Sequence, residues 1–386
     1  MHRRTLLQLF AGVAVAGVPR VGAQARTRRI VIAGAGIVGA NLALQLAKRG
    51  AAVTIIEREM PGAGATSKSF AWINATFSKR PWAYYHLNRL GMLGWRQLDR
   101  ELDLPVRWGG SVEWYPGENE ARELRDWVRA HQAWGYPVAT IDDARLKKLE
   151  AQITFGAVAG ASHSEDEGHV DPVGATQVLL RRAVSLGAML QTETAITGLD
   201  VQQDRLRAVR TTAGDLPADV LIIACGTDTP RIAAMANIRV PLKESPGVLV
   251  HTAPQPALLG RVVLAPGAHM KQKPDGRIVT GVGFGGTPTK DSSREGGERF
   301  LRTAAAGVLA PLAKAELDKV TLGYRPLPQD EYPIIGFAPG RRDIYITVMH
   351  SGVTLSPFVG RAASIEILDG VDVEPLAPYR LARFAN

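Results

Sequence analysis

Residues 29–57 read RIVIAGAGIVGANLALQLAKRGAAVTIIE, and the order of parts in this stretch decides the fold class. Ile30-Val31-Ile32-Ala33 is an apolar run short enough to be a buried strand. Gly34, Gly36 and Gly39 follow in the spacing G-x-G-x-x-G. A helix-periodic stripe of Ile37, Leu42, Leu44 and Leu46 comes next and is closed by Gly50. The β-branched run Val53–Ile56 then ends in Glu57. This is a βαβ unit of the dinucleotide-binding type. The glycines let the backbone turn tightly and approach a pyrophosphate. The helix N-terminus near Gly36–Gly39 offers free N–H groups and a positive dipole to phosphates. Glu57 is placed to accept hydrogen bonds from a ribose diol, which a glycine-rich turn in some other α/β protein would not explain.

The chain has 386 residues, 46% of them hydrophobic and 22% charged, a globular composition long enough for one large or two interlocked domains. Its 40 glycines and 24 prolines suit a mixed α/β protein with an inserted sheet. Cys225 is the single cysteine, so neither an intramolecular disulfide nor a cysteine-based metal site is available. His86, His131, His163, His169 and His251 are scattered without metal-like spacing, and no metal is expected. Beyond the N-terminus there is no apolar run of about 18 or more residues that could cross a membrane as a helix.

Residues 1–25 read as a targeting segment. Arg3-Arg4 precedes Thr5-Leu6-Leu7, the Gly/Ala-rich apolar run Leu9–Val18 follows, and Ala23-Gln24-Ala25 supplies a cleavage site. The pattern resembles a twin-arginine export signal, with His2 and Gln8 as departures. A general secretory signal or an uncleaved anchor are the alternatives. Gly12 and Gly17 weaken the apolar run and favour the twin-arginine route, which carries folded, cofactor-loaded proteins. The expected location is the periplasm. Removing Arg3, Arg4 and Arg20 changes the charge from +9 to 43 − 37 = +6. The basic residues are scattered and not interleaved with aromatics, which argues against nucleic-acid binding. The mild basic bias favours acidic substrates or peripheral contact with a membrane surface.

After Glu57, residues 62–74 form a Gly/Ser/Thr-rich loop entering the apolar run 70–73. Either it packs along a cofactor or it is a structural Ω-loop. Helices are expected at 81–102, 119–134, 142–150, 173–186, 291–309 and 353–368. Asp171 is placed as N-cap of the fourth, with Pro172 at its first position. Strands are expected at 106–115, 188–191 and 194–201. Residues 205–212 and 216–224 should form a hairpin around Gly214-Asp215, its second arm meeting Gly226. Short strands at 248–252, 261–264, 269–273 and 277–281 suggest an antiparallel sheet, followed by a strand at 320–325. Residues 328–335 should be loop and 344–348 strand. The tail from Pro375 should be irregular or a short strand.

Four stretches then agree in order and spacing: the βαβ unit, GHVDPVGATQVLLRRAVSLGA from Gly168, VLIIACGTDTPRIA from Val220, and the region from Gly323 to Gly370. Together they resemble the FAD-dependent D-amino acid oxidase-like family, which includes glycine oxidases, sarcosine oxidases and D-amino acid dehydrogenases. The resemblance implies a Rossmann-type FAD-binding domain (29–80, 151–236 and 320–372) with an inserted α+β substrate domain (81–150 and 237–319) on an antiparallel sheet. Residues 373–386 are left as a tail. It also implies the site. Gly34, Gly36 and Gly39, with the intervening Ala35, Ile37 and Val38, match the pyrophosphate loop. Glu57, followed by Arg58, matches the ribose acid, and Thr66, Ser67 and Ser69 match the loop after it. Ile196 matches the position whose backbone contacts adenine, and Gly226 follows the strand beneath the cofactor. Gly352, Val353, Thr354 and Leu355 open the helix that closes over the isoalloxazine, where its dipole stabilises negative charge on reduced flavin. Some relatives attach flavin through a C-terminal cysteine. Cys225 is not so placed and 62–74 lacks histidine, so the FAD is expected to be noncovalent.

The implied chemistry is hydride transfer from a substrate carbon to flavin N5, oxidising an amino acid or related amine to an imine that hydrolyses. Arg325 matches a family position where a guanidinium fork binds the substrate carboxylate; the other reading is an arginine that braces the sheet or reaches the cofactor. His269 stands where some relatives have tyrosine. His350 belongs to the closing loop, with Met349 where relatives often have glycine. These three are the candidate catalytic residues. Oxygen or a membrane quinone is the expected electron acceptor. The alternatives are an FAD-dependent 2-hydroxy acid dehydrogenase and a non-catalytic flavin-bearing electron-transfer subunit.

Overall fold

Ile30, Ile32 and Ala33 are almost wholly excluded from solvent. A strand apolar on both faces belongs in the middle of a parallel sheet, and the computed structural model places it there. The structure describes residues 27–76, 79–282 and 291–385; the expected export segment lies outside them. The central sheet has six strands in the order Ile334–Phe337, Ile344–Val348, Val220–Ile223, Arg29–Ala33, Ala52–Ile56, Met189–Gln191. All neighbours are parallel except Ile334–Phe337, which runs against Ile344–Val348. Strand order reverses at Arg29–Ala33, which makes its carboxyl end the switch point where open α/β sheets bind ligands. Helices Ile37–Lys48, Pro172–Ser185 and Gly352–Asp369 cover one face. Arg49 ties the end of the first to Asp369, the last residue of the third, at 2.6 Å.

A second, eight-stranded sheet runs Leu317–Tyr324, Pro246–Thr252, Ile278–Gly281, Ala268–Gln272, Val262–Ala265, Ser111–Tyr115, Gly160–Ser164, Val138–Ile141. It is antiparallel except where Val262–Ala265 pairs in parallel with Ser111–Tyr115. A separate core built on Trp114, Val263, Met270 and Leu301 lies against it.

The structure corrects several expectations. The strand expected at 106–115 is two strands, Val106–Arg107 and Ser111–Tyr115, which belong to different sheets. The break falls at Gly109–Gly110, where Gly110 takes φ +83°. The arm expected at 216–224 also divides. Pro217 ends the hairpin strand Gly214–Pro217, having no N–H to extend the ladder. Asp219 then turns the chain into the central sheet, accepting from Arg29 N at 2.9 Å and Arg29 Nη2 at 2.7 Å. Residues 328–335 are not all loop, because Ile334 starts the edge strand Ile334–Phe337. Asp171 caps its helix by position, but without a side-chain hydrogen bond. The expected helix 291–309 begins at Arg294 and passes through a π-helical turn at Leu301–Ala305. The tail is a pair of 3-10 turns, Glu374–Tyr379 and Leu381–Phe384.

Gly160–Ser164 and Leu317–Tyr324 are strands of the second sheet, not of the central one. Conversely, helix Trp82–Leu102 lies against the closing helix. A Cβ added at Gly91 would stand 2.3 Å from Thr354 O, and one at Gly94 2.8 Å from Pro357 Cβ. Small residues at that spacing let the two helices meet closely.

Candidate active site

The carboxyl ends of four parallel strands open onto one cleft. Gly34 makes the turn out of the first strand, at φ +103°, with its N–H on Ile56 O at 2.8 Å. A Cβ there would stand 2.5 Å from Ala224 O, and a Cβ on Gly39 would stand 1.9 Å from Gly34 O. The two glycines therefore seat the helix on the strand end. Gly36 is the N-cap and places no side chain over the first helical turn. Ile37 N–H donates to Thr66 Oγ1 at 3.1 Å, which draws the following loop across this turn. Glu57 accepts from Ala35 N at 2.9 Å and Glu59 N at 3.0 Å. Two backbone donors fix the carboxylate at the cleft and leave acceptor sites for a diol. The cleft holds about 1190 Å³ counted out to its mouth, room for a dinucleotide.

Gly34, Gly36, Ile37, Val38, Glu57 and Arg58 line it, as do Thr66, Ser69, Ile196, Gly226, Gly352 and Val353. The other candidates lie elsewhere. Ala35 is wholly buried and acts through its N–H on Glu57. Gly39 serves helix–strand packing. Ser67 Oγ turns into its own loop, onto Ala63 O at 2.9 Å. Leu355 is in the core. Thr354 lines the adjoining lobe, its Oγ1 donating to Trp72 O at 3.2 Å. Sequence reasoning missed Asp228 and Arg231, an ion pair at 2.7 Å on the cleft wall whose Asp228 also meets Arg58 at 3.4 Å. Cys225 lines the cleft too. Its thiol donates to Ala33 O at 3.2 Å, and burial pushes its pKa up to about 12. It is a protonated thiol and no nucleophile toward a flavin.

A second lobe continues from the cleft between the two sheets, sharing Ala65, Ser69, Pro326, His350 and Val353 with it. His269, Arg325 and His350 all line this lobe. They come from three distant parts of the chain: a strand of the second sheet, the exit of its edge strand, and the loop before the closing helix. Arg325 is held from one side. Nη1 donates to Pro246 O at 2.8 Å and to Ser245 Oγ at 3.2 Å, and the backbone N–H bonds Ser245 O at 2.9 Å. A Cβ on Gly247 would stand 2.6 Å from Nη2, so the bare backbone there makes room for the guanidinium. Burial lowers the pKa of His269 to about 4. Burial, then Lys79, then Arg325, lowers that of His350 to about 3. Both imidazoles are neutral at pH 7.

Lys79 and Asn74 also line the lobe and were not foreseen. Lys79 is buried, donates to Ser351 Oγ at 2.7 Å, and has its pKa lowered by burial to about 8 against a raising influence of Glu167. Tyr84 OH meets the same hydroxyl at 2.9 Å. Asn74 carries a buried side-chain oxygen that no donor among the described residues meets. The sequence offered one signal for Lys79, its place in the cation pair Lys79-Arg80 just ahead of an amphipathic helix, which is too common to be informative.

The closing helix starts between cleft and lobe, with Ser351 as N-cap. Pro357 lies inside it and has no N–H to give Val353 O. Trp95 Nε1 fills that role from the neighbouring helix at 2.7 Å, and Ser356 Oγ adds a bond at 3.1 Å. The helix end that carries Gly352 and Val353 is thereby fixed by a donor from outside it.

The sequence profile of the family described as FAD dependent oxidoreductase, the DAO family, matches residues 29–364. The chain belongs to that family. A glycine oxidase of Geobacillus kaustophilus is similar at 27% identity over 367 residues, covering 92% of this chain and 96% of the relative. The crystal structure of glycine oxidase from that organism superposes with a TM-score of 0.81 at 25% identity, over 92% of this chain and 98% of the other. L-proline dehydrogenase from P. horikoshii shares the fold with a TM-score of 0.85 at 24% identity, over 93% and 98%. Within this family the protein is an FAD-dependent oxidoreductase of the amino acid and amine oxidase type. FAD is the cofactor, and the cleft fits it: bare backbone at Gly36, an anchored Glu57 and a helix N-terminus at each end. Among the described residues no group of acids, histidines or cysteine is placed to hold a metal, and no helix is long and apolar enough to cross a membrane.

Proposed function

We propose that the protein oxidises an amino acid or a related amine whose carboxylate is held by Arg325. The observation that carries this reading is the placement of Arg325, a half-buried guanidinium lining the lobe next to the cofactor cleft with only neutral partners on one edge. A carboxylate offers a planar, two-oxygen partner to the rest of the fork, which has none among the described residues. FAD, when bound, supplies the hydride acceptor at its N5 atom. Arg325 fixes the carboxylate and with it the direction of the adjacent C–H bond, which gives up hydride as the C–N bond becomes an imine that water hydrolyses. The side-chain oxygen of Asn74 supplies an acceptor for an amine N–H. His269 and His350, neutral and far below the range of a base at pH 7, order the walls of the lobe. The test is anaerobic mixing of the holoprotein with D-, L- and N-methyl amino acids and 2-hydroxy acids, following loss of the oxidised flavin spectrum. Bleaching by hydroxy acids alone would overturn the reading. Repeating the best substrate in air and with a soluble quinone assigns the electron acceptor.

A further inference from the structure

The charge balance of the substrate lobe says more than the position of one arginine. Lys79 and Arg325 both line it, and exposed Lys68 stands at its rim. Among the described residues no aspartate or glutamate lines it. Lys79 is 6% exposed, yet the hydrogen bond it donates goes to a neutral hydroxyl, Ser351 Oγ. Arg325 donates to a carbonyl and a hydroxyl. Neither forms an ion pair with any described residue. Glu167 acts on Lys79 through space but does not line the lobe, so among the described residues the two cations face the lobe with no anion on its walls, which favours entry of an anionic ligand. The cations come from different walls. Lys79 precedes helix Trp82–Leu102 of the cofactor side, and Arg325 follows strand Leu317–Tyr324 of the second sheet. His350 lines the same lobe as both of them, so a ligand filling the lobe meets a cation on each of two walls.

We propose that the substrate is an amine bearing two carboxylates, one held by Arg325 and the other by Lys79. This rests on the amine-oxidation reading above and narrows it. A zwitterionic monocarboxylate brings no net charge to a lobe lined by two cations, Lys79 buried and Arg325 half-buried. It also brings an ammonium for which the lobe has only neutral acceptors. An amino dicarboxylate brings one net negative charge and an anion for each cation. The placement of Lys79 at the N-cap of the closing helix has a competing use, in which it acts on the flavin and not on substrate.

The test uses matched pairs that differ by one charge at nearly constant shape: aspartate against asparagine and glutamate against glutamine, both enantiomers. Succinate against succinamate serves as a non-reacting pair. Binding to the holoenzyme is read from perturbation of the flavin spectrum, and turnover from anaerobic bleaching. The dicarboxylate of the best pair should bind at least about tenfold tighter than its amide, the scale of one charge-assisted contact in a shielded site. Lys79→Met should bring the two within about threefold by weakening the dicarboxylate alone, and Lys79→Arg should restore part of the difference. Equal or tighter binding of the amides would overturn the proposal. So would equal loss for both members in Lys79→Met, or a shifted flavin midpoint potential with the discrimination intact. If no amine bleaches the flavin while succinate still outbinds succinamate, amine oxidation fails and the two-carboxylate site stands. If amines bleach it without preference for the second charge, the reverse holds.

Discussion

Arg325 shows what a single residue contributes and what the sequence says of it. It was legible as a candidate because it sits in Gly323-Tyr324-Arg325-Pro326, late in the chain and in step with the family pattern. Its surroundings were not legible, since Ser245, Pro246 and Gly247 come to it through pairing of strands about eighty positions apart. Arg325→Met keeps much of the stem and removes the fork. Losing two charge-assisted bonds should cost about 3–4 kcal/mol in the transition state, or roughly 10²–10³ in kcat/KM for the best carboxylate substrate. Flavin content should not change. Stopped-flow reduction of the variant measures this, and a wild-type reduction rate would remove Arg325 from carboxylate binding. Lys79 illustrates the opposite case. Nothing local marks it, because its partner Ser351 is 272 positions away and its burial is a property of the assembled lobe.

Among the elements, the βαβ unit was readable to within a residue or two because its signals are local: a short apolar run, three glycines, a helical stripe and an acid. The elements misread were those whose boundaries depend on a distant partner. Val220–Ile223 parts from its hairpin because a central position between Arg29–Ala33 and Ile344–Val348 is available to it. Val106–Arg107 and Ser111–Tyr115 separate because two sheets compete for one extended stretch. The closing helix depends on a neighbour in the same way. Its proline leaves Val353 O to Trp95. Trp95→Phe removes that donor and keeps most of the ring volume. Ser356 still reaches the carbonyl, so the loss should fall at the lower end for a buried acceptor, about 1–2 kcal/mol. Denaturant unfolding of the apoprotein measures it. FAD affinity should fall as well, because the loosened turn carries Gly352 and Val353 of the cleft. An unchanged midpoint would show that the kink is stable without the indole.

At the scale of the whole molecule, stability should carry a pH dependence that has nothing to do with the flavin. Glu113, on the second sheet, has its pKa raised from 4.5 to about 7 by burial, with the Tyr115 hydroxyl opposing and Glu167 adding to the rise. A raised carboxyl pKa means that between pH 4.5 and about 7 the native state binds more protons than the unfolded one. Stability therefore falls as pH rises through that window and stays lower above it. Glu113→Gln should flatten the decline and stabilise the protein at pH 8, relative to its effect at pH 4, by on the order of 3 kcal/mol at most. Thermal unfolding of both proteins at the two pH values tests it, and parallel pH profiles would contradict it. The two-sheet plan was anticipated, whereas the seam between the sheets was not, since Gly160–Ser164 and Leu317–Tyr324 look like any short strands until their neighbours are known. One consequence of the strand order concerns how the protein is made. The central strand needs Val220–Ile223 beside it, that strand needs Ile344–Val348, and Arg49 at the end of the first helix is tied to Asp369. While a ribosome is still adding residues before these, the nascent Gly34–Glu57 unit has no completed wall opposite it. The second sheet has its edge strand by Tyr324, whereas the cofactor cleft closes only after Gly352. FAD capture therefore waits until synthesis has passed Gly352, well after the βαβ unit that begins the cleft has left the ribosome.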